Sequence, residues 1–313
     1  MSDQADQLRQ LVQEKVLSRP NHEPGLPLVV LSGGTTGVGT TTLAIQLAHE
    51  LALLGKRSVL VDANLTRPSL AECLNGSTDS SFADILNGHR TAVEVLQPVG
   101  ESIRLIAGRL TPQSPPDMSH SALERAYSEI RHLQSHADVA LVEVGGGMNP
   151  WVQHWWQAAE QVFLVSTTEN KSLLESYTAV KLAAKSAAHE KVCLVVNRCD
   201  NRDAGKRIAE RFSATCYKFL GLHVNTTVSA PPFEEQTAGK SLGDARNRNV
   251  DFRHAVRLLA TDVISRSLII SGRVPARYAR KSQASTQATA HQAAALQEWQ
   301  MEAIAEPENP VVY

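Results

Sequence analysis

Residues 28–43 read Leu28-Val29-Val30-Leu31-Ser32-Gly33-Gly34-Thr35-Thr36-Gly37-Val38-Gly39-Thr40-Thr41-Thr42-Leu43, and this stretch decides the fold. A run of aliphatic residues ends in glycines, and over Thr41–Leu54 the apolar positions Leu43, Leu47, Leu51 and Leu54 recur at helical spacing. Outward from it, further short apolar runs alternate with helical patterns: Ser58–Val61, Ile103–Ile106, Val139–Val144, Val162–Val165 and Val192–Val196. Nearly continuous hydrophobicity marks strands buried on both faces. Strands alternating with helices predict an α/β fold, a three-layer, doubly wound and mostly parallel sheet, spanning residues 28–271.

The glycine stretch joins a strand to a helix N-terminus, where backbone N–H groups and the helix dipole favour an anion. Gly34, Gly39 and Thr41 have the spacing of a nucleotide-binding P-loop. Gly34, Gly37, Val38, Gly39, Thr40, Thr41 and Thr42 are therefore the expected phosphate-binding residues for ATP or ADP, and Thr41 is the expected Mg2+ ligand. Thr40 stands where the pattern has its lysine.

Gly37-Val38-Gly39-Thr40-Thr41-Thr42-Leu43-Ala44 resembles the GGVGKTT-x-A loop of the MinD/ParA ATPases, the deviant Walker A class of P-loop NTPases. That family carries a second, signature lysine, and Thr35 occupies its position here. Leu60-Val61-Asp62-Ala63-Asn64 resembles the family's DxD segment, with Asp62 kept and Asn64 in place of the water-positioning aspartate. Leu141-Val142-Glu143-Val144-Gly145 resembles its Walker B and switch II segment, with Glu143 for aspartate. Val195-Val196-Asn197-Arg198 is similar to its adenine-reading motif, which makes Asn197 and Arg198 expected base contacts through the donor and acceptor of the amide. Phosphoryl transfer depends on neutralising charge and orienting water. With Thr35, Thr40, Asn64 and Glu143 at degenerate positions, slow hydrolysis at best is expected, since each lost electrostatic group commonly costs on the order of 10²–10³ in rate. The resemblance also implies a homodimer, whose ATP dependence the loss of the signature lysine weakens.

The first residues carry a separate signal. Asp3-Gln4-Ala5-Asp6-Gln7-Leu8-Arg9 resembles the D-Q-A-x-x-L-R motif of the FlhG family of flagellar regulators, where the helix activates an FlhF-type GTPase. In trans, Gln4 would orient a water and Arg9 would offset phosphate charge. Asp3, Ala5 and Leu8 complete the expected partner-binding set, with Ala5 and Leu8 on one helix face. The expected organisation is an activator helix over 1–18, a proline-broken linker over 19–27, the P-loop domain, and a flexible polar tail over 272–313.

Composition narrows the alternatives. A net charge of −1 gives no global field for nucleic acid. No apolar run approaches the roughly 18 residues of a membrane span, and the acidic, polar start is unlike a signal peptide, so a cytoplasmic location is expected. The four cysteines form no C-x-x-C pair, which argues against zinc. Residues 290–305 lack a basic amphipathic face, so no autonomous membrane anchor is expected. Asp62-Ala63-Asn64-Leu65-Thr66-Arg67-Pro68-Ser69-Leu70 also resembles a segment of bacterial tyrosine kinases, but the tail holds just Tyr278 and Tyr313 as acceptors. Two other readings stand beside the flagellar one: a MinD/ParA-type ATPase positioning chromosomes, division or pilus machinery, and a pseudo-ATPase scaffold.

Overall fold

The structure is a computed structural model that describes residues 25–109, 116–184, 187–229 and 250–270. The expected activator helix, most of the linker and the polar tail lie outside the described residues.

Eight strands form one sheet: β1 (Leu28–Gly33), β2 (Ser58–Asp62), β3 (Gln97–Pro98), β4 (Ile103–Ile106), β5 (Val139–Gly146), β6 (Gln161–Ser166), β7 (Val192–Val196) and β8 (Asn225–Ser229). Their order is β3-β4-β2-β5-β1-β6-β7-β8. Every pairing is parallel except β3 with β4. The six strands expected from the apolar runs are all present, extended by up to two residues at their ends. The chain moves outward from β1 in one direction through β2 and β4, returns to β5, then crosses to β6 and continues through β7 and β8. β1 therefore lies at the switch point, where the crevice beyond the strand C-termini collects ligands in such sheets.

Period-two alternation distributes each strand between two cores. Leu28, Val30, Val59, Val61, Ala140, Val142, Val162 and Leu164 face one side. There they meet α5 (His120–Arg131), α6 (Pro150–Ala158), α7 (Asn170–Ala183) and α8 (Arg202–Leu220). Val29, Leu31, Leu60, Leu141, Phe163 and Val165 face the other, against α1 (Thr40–Leu53) and α9 (Val250–Ile270). The three-layer, doubly wound architecture follows directly. Short helices α2 (Leu70–Leu74), α3 (Phe82–Leu86) and α4 (Ala92–Val95) connect β2 to β3.

Helix α6 starts from Asn149, whose side chain accepts the Val152 N–H at 3.0 Å, with Pro150 in the first turn. Its Trp151 and Trp155 are core residues, packed edge-on to each other and against Phe82. Trp151 Nε1 donates to the Ala63 carbonyl at 2.9 Å. That bond fastens α6 to the chain leaving β2. Trp151→Phe deletes the donor and leaves a buried carbonyl unpaired. Urea unfolding should register a loss of about 1–3 kcal/mol at unchanged m-value; an unaltered midpoint would show that the bond contributes nothing.

Candidate functional site

The alternation that builds the cores also builds the site. Asp62 lies two residues beyond Leu60, and Glu143 two beyond Leu141, so both carboxylates point to the α1 side of the sheet. Asp62 and Glu143 are register partners on adjacent strands. Both are about 1% exposed. Above them, at the C-terminal end of β1, the chain turns into α1.

That helix begins without any of the usual side-chain remedies. Its N-cap is Gly39 at φ 96°, no side chain caps it, and its first turn holds no acidic residue. The N–H groups of Gly39, Thr40, Thr41 and Thr42 donate to no acceptor among the described residues. Four orphan donors facing one direction form an anion site.

The loop before α1 is held by close backbone packing. Gly34 N–H donates to Val165 O, and Gly147 N–H to Gly33 O, each at 3.0 Å. A Cβ on Gly34 would lie 2.1 Å from Ser176 Oγ, and one on Gly146 2.6 Å from the Thr35 carbonyl carbon. Ser172 and Ser176 of α7 and the 145–147 segment therefore clamp the loop from two sides. Val38 is buried, Gly37 is exposed at φ 79°, and Thr35 is half-buried.

Thr41 is the hub. Its hydroxyl donates to Glu143 Oε1 at 2.6 Å and lies 3.1 Å from Ser69 Oγ. Glu143 Oε2 is buried with no hydrogen-bond partner among the described residues. Burial, then the neighbouring Asp62 charge, push the Glu143 carboxyl up to about 7, against the pull of the Thr41 and Thr40 hydroxyls. Asp62 accepts the N–H groups of Ser69 at 2.8 Å, Leu70 at 3.0 Å and Asn64 at 3.2 Å. Those bonds lower its pKa, but burial outweighs them and raises it to about 6.

Asn64 bonds to the turn that follows it. Its Oδ1 accepts from Thr66 Oγ1 at 2.8 Å, Arg67 N at 3.1 Å and Thr66 N at 3.3 Å, and its Nδ2 donates to Arg67 O at 3.0 Å. The side chain closes the turn after β2. At the other rim, Asn197 is buried and donates from Nδ2 to Val38 O at 2.8 Å, while Arg198 is exposed at φ 56°. Thus Gly34 to Thr42, Asp62, Glu143 and Asn197 converge on one end of the sheet. Asp3, Gln4, Ala5, Leu8 and Arg9 lie outside the described residues. Sequence reading missed Ser69, Ser172 and Ser176 as parts of the site. For Ser69 a signal was present, in the Arg67-Pro68-Ser69-Leu70 segment that follows Asp62.

The family described as the CobQ/CobB/MinD/ParA nucleotide binding domain matches residues 29–236. Antiactivator FleN of Pseudomonas aeruginosa is 26% identical over 211 residues, covering 66% of this chain and 74% of FleN. Flagellum site-determining protein YlxH of Helicobacter pylori is 21% identical over 212 residues, covering 67% of this chain and 71% of YlxH. Among solved structures, the septum site-determining protein MinD of Pyrococcus horikoshii, complexed with Mg-ADP, superposes at a TM-score of 0.58 over 78% of this chain and 98% of that one. At 16% identity that likeness is one of fold.

The raised carboxyl pKa values fix a direction for stability. The folded chain keeps protons on Asp62 and Glu143 that the unfolded chain releases near the ordinary 3.8 and 4.5. The pair therefore destabilises the nucleotide-free fold increasingly as pH rises from about 4 to about 7. Glu143→Gln removes its share. In thermal melts the variant should gain on the wild-type chain as pH rises, by roughly 1–3 kcal/mol at pH 8; a gap independent of pH would refute the assignment.

Proposed function

The chain belongs to the CobQ/CobB/MinD/ParA nucleotide-binding family, and from that premise we propose that it is an FlhG-like regulator of flagellar number and placement. It binds ATP or ADP with Mg2+, hydrolyses ATP slowly or not at all, works in the cytoplasm, and acts through residues 3–9 on an FlhF-type GTPase. The observation that carries the nucleotide reading is the uncapped start of α1, whose first four N–H groups donate to no acceptor among the described residues and whose Thr41 hydroxyl reaches Glu143, the register partner of Asp62. The flagellar reading draws on the likeness to FleN and YlxH together with Asp3-Gln4-Ala5-Asp6-Gln7-Leu8-Arg9.

The residues present fit a Mg2+-nucleotide. Amides of Gly39 to Thr42 would take the phosphates. Thr41 and the free Oε2 of Glu143 would serve the metal, directly or through water. The metal would neutralise phosphate charge at a loop where Thr35 and Thr40 stand in place of lysines. Asn197 braces the loop through Val38 and leaves its Oδ1 for a base amino group. Hydrolysis lacks its parts: Thr35 and Thr40 bring no charge, and Asn64 is committed to a turn. A dimer, if it forms, should depend little on ATP, because Thr35 cannot reach across as a lysine would.

Calorimetry of the full-length protein should show Mg2+-dependent binding of ADP. Single-turnover ATP hydrolysis should not exceed that of Thr41→Ala. Turnover well above that level would point instead to an active positioning ATPase.

The activator role is tested with the full-length chain and an FlhF-type GTPase. GTP turnover should rise with the wild-type chain and fall back to its basal rate with Gln4→Ala. Equal stimulation by both, or none by either, removes the proposed partner function while leaving the nucleotide site standing.

A further inference from the structure

A cradle with two buried carboxylates, and with threonine at loop positions 35 and 40, leaves a polyphosphate facing an excess of negative charge. Helix dipole and amides offset part of it. A cationic side chain at the rim would offset more. Among the described residues, Arg198, after β7, Lys171, in the first turn of α7 after β6, and Arg67, after β2, are among the cations at that end of the sheet. β7 and β2 lie on opposite sides of β1, so the two arginines flank the loop. Arg198 follows Asn197, on the side that grips Val38. Arg67 is on the side of Thr41 and Glu143.

The turn carrying Arg67 is anchored to the site at several points. Ser69 Oγ is 3.1 Å from Thr41 Oγ1. Asp62 holds the Ser69 and Leu70 amides. A Cβ on Gly145 would lie 2.8 Å from Asn64 Oδ1, and one on Gly108 2.6 Å from Pro68 Cβ. Arg67 is two residues from Ser69, so its Cα lies within about 7 Å of the Ser69 Cα, a span comparable to its own extended side chain.

Its backbone is fixed on both sides. Asn64 Oδ1 accepts the Arg67 N–H and Asn64 Nδ2 donates to the Arg67 carbonyl. The next residue is Pro68, with its restricted φ. Arg67 itself is exposed, and its guanidinium has no hydrogen-bond or ion-pair partner among the described residues. A rigid base with an uncommitted charged end is suited to gripping an anion, since little backbone order is lost on binding.

Asn64 gains a second meaning here. A carboxylate accepts but cannot donate. Aspartate at this position would lose the bond to the Arg67 carbonyl and place a negative charge beside the arginine. Replacing that acid by Asn64 both removes a water-orienting group and builds the support for Arg67.

We propose that Arg67, held by the Asn64 turn, supplies the positive charge that engages the phosphates at the start of α1. This deepens the nucleotide reading above and rests on it.

Calorimetry of the full-length protein with Mg-ADP and with AMP tests the assignment. Arg67→Ala should weaken Mg-ADP about 10- to 100-fold, the range for a lost charge-assisted hydrogen bond. Arg67→Lys should restore part of the affinity, because the charge returns without the guanidinium fork. The preference of the wild-type chain for ADP over AMP should shrink in Arg67→Ala, an effect that a merely structural role would not produce. Nucleotide-free melting should be unchanged, as the side chain is exposed. Asn64→Asp should also weaken Mg-ADP. Binding of Mg-ADP by Arg67→Ala within about twofold of wild type, well under the tenfold that a charged bond commands, overturns the proposal and leaves the nucleotide site standing. No binding of Mg-ADP by the wild-type chain overturns both.

Discussion

A helix must settle the fate of its first N–H groups. Side-chain oxygens or an acidic first turn usually settle it. At α1 the chain supplies neither, and the neighbouring structure is built around the resulting opening. Gly39 turns left-handed so that the amides face outward from the sheet end. The loop before it packs so tightly on α7 and on residues 145–147 that side chains at Gly34 and Gly146 are sterically excluded. The loop cannot collapse to bury its own donors, because its shape is imposed from both flanks. What remains is a fixed array of partial positive charge at the switch point of the sheet.

The carboxylates beneath are matched to that array in an unusual manner. Three backbone N–H groups converge on Asp62, and threonine hydroxyls face Glu143. Neither acid has a lysine or arginine ion pair among the described residues, so burial dominates and both pKa values rise. The longer side chain of Glu143 lets its Oε1 reach Thr41 Oγ1 directly at 2.6 Å. Under the proposed reading, phosphate affinity would come from backbone donors, a divalent ion and rim cations. That division suits retention of a nucleotide better than its cleavage, since catalysis needs charge that follows the transition state and a held water.

Much of this was legible in the residue order. Strand positions followed from apolar runs, and motif spacing singled out Asp62 and Glu143. The glycine spacing located the loop, and the threonines at positions 35 and 40 announced the missing charge. Other features depend on closure in space. Asn64 resembles an enfeebled water-positioning group when read against a motif, whereas its bonds to Thr66 and Arg67 arise from a turn that no linear pattern displays. Ser69, Ser172 and Ser176 are small polar residues of the most ordinary kind. Their importance comes from what touches them: Thr41 in one case, Gly34 in another.

The same contacts give the loop two outlets. On one side Gly34 bears on Ser172 and Ser176, and the opposite face of α7 presents the exposed Leu174. On the other, Asp62, Ala63 and Asn64 are consecutive, and Ala63 accepts the indole of Trp151 at the start of α6. An anion drawn onto the amides of α1 would pull on Thr41, and through Ser69 and Glu143 on the segment that Trp151 holds. Packed cores respond to such displacements by discrete repacking rather than smooth deformation.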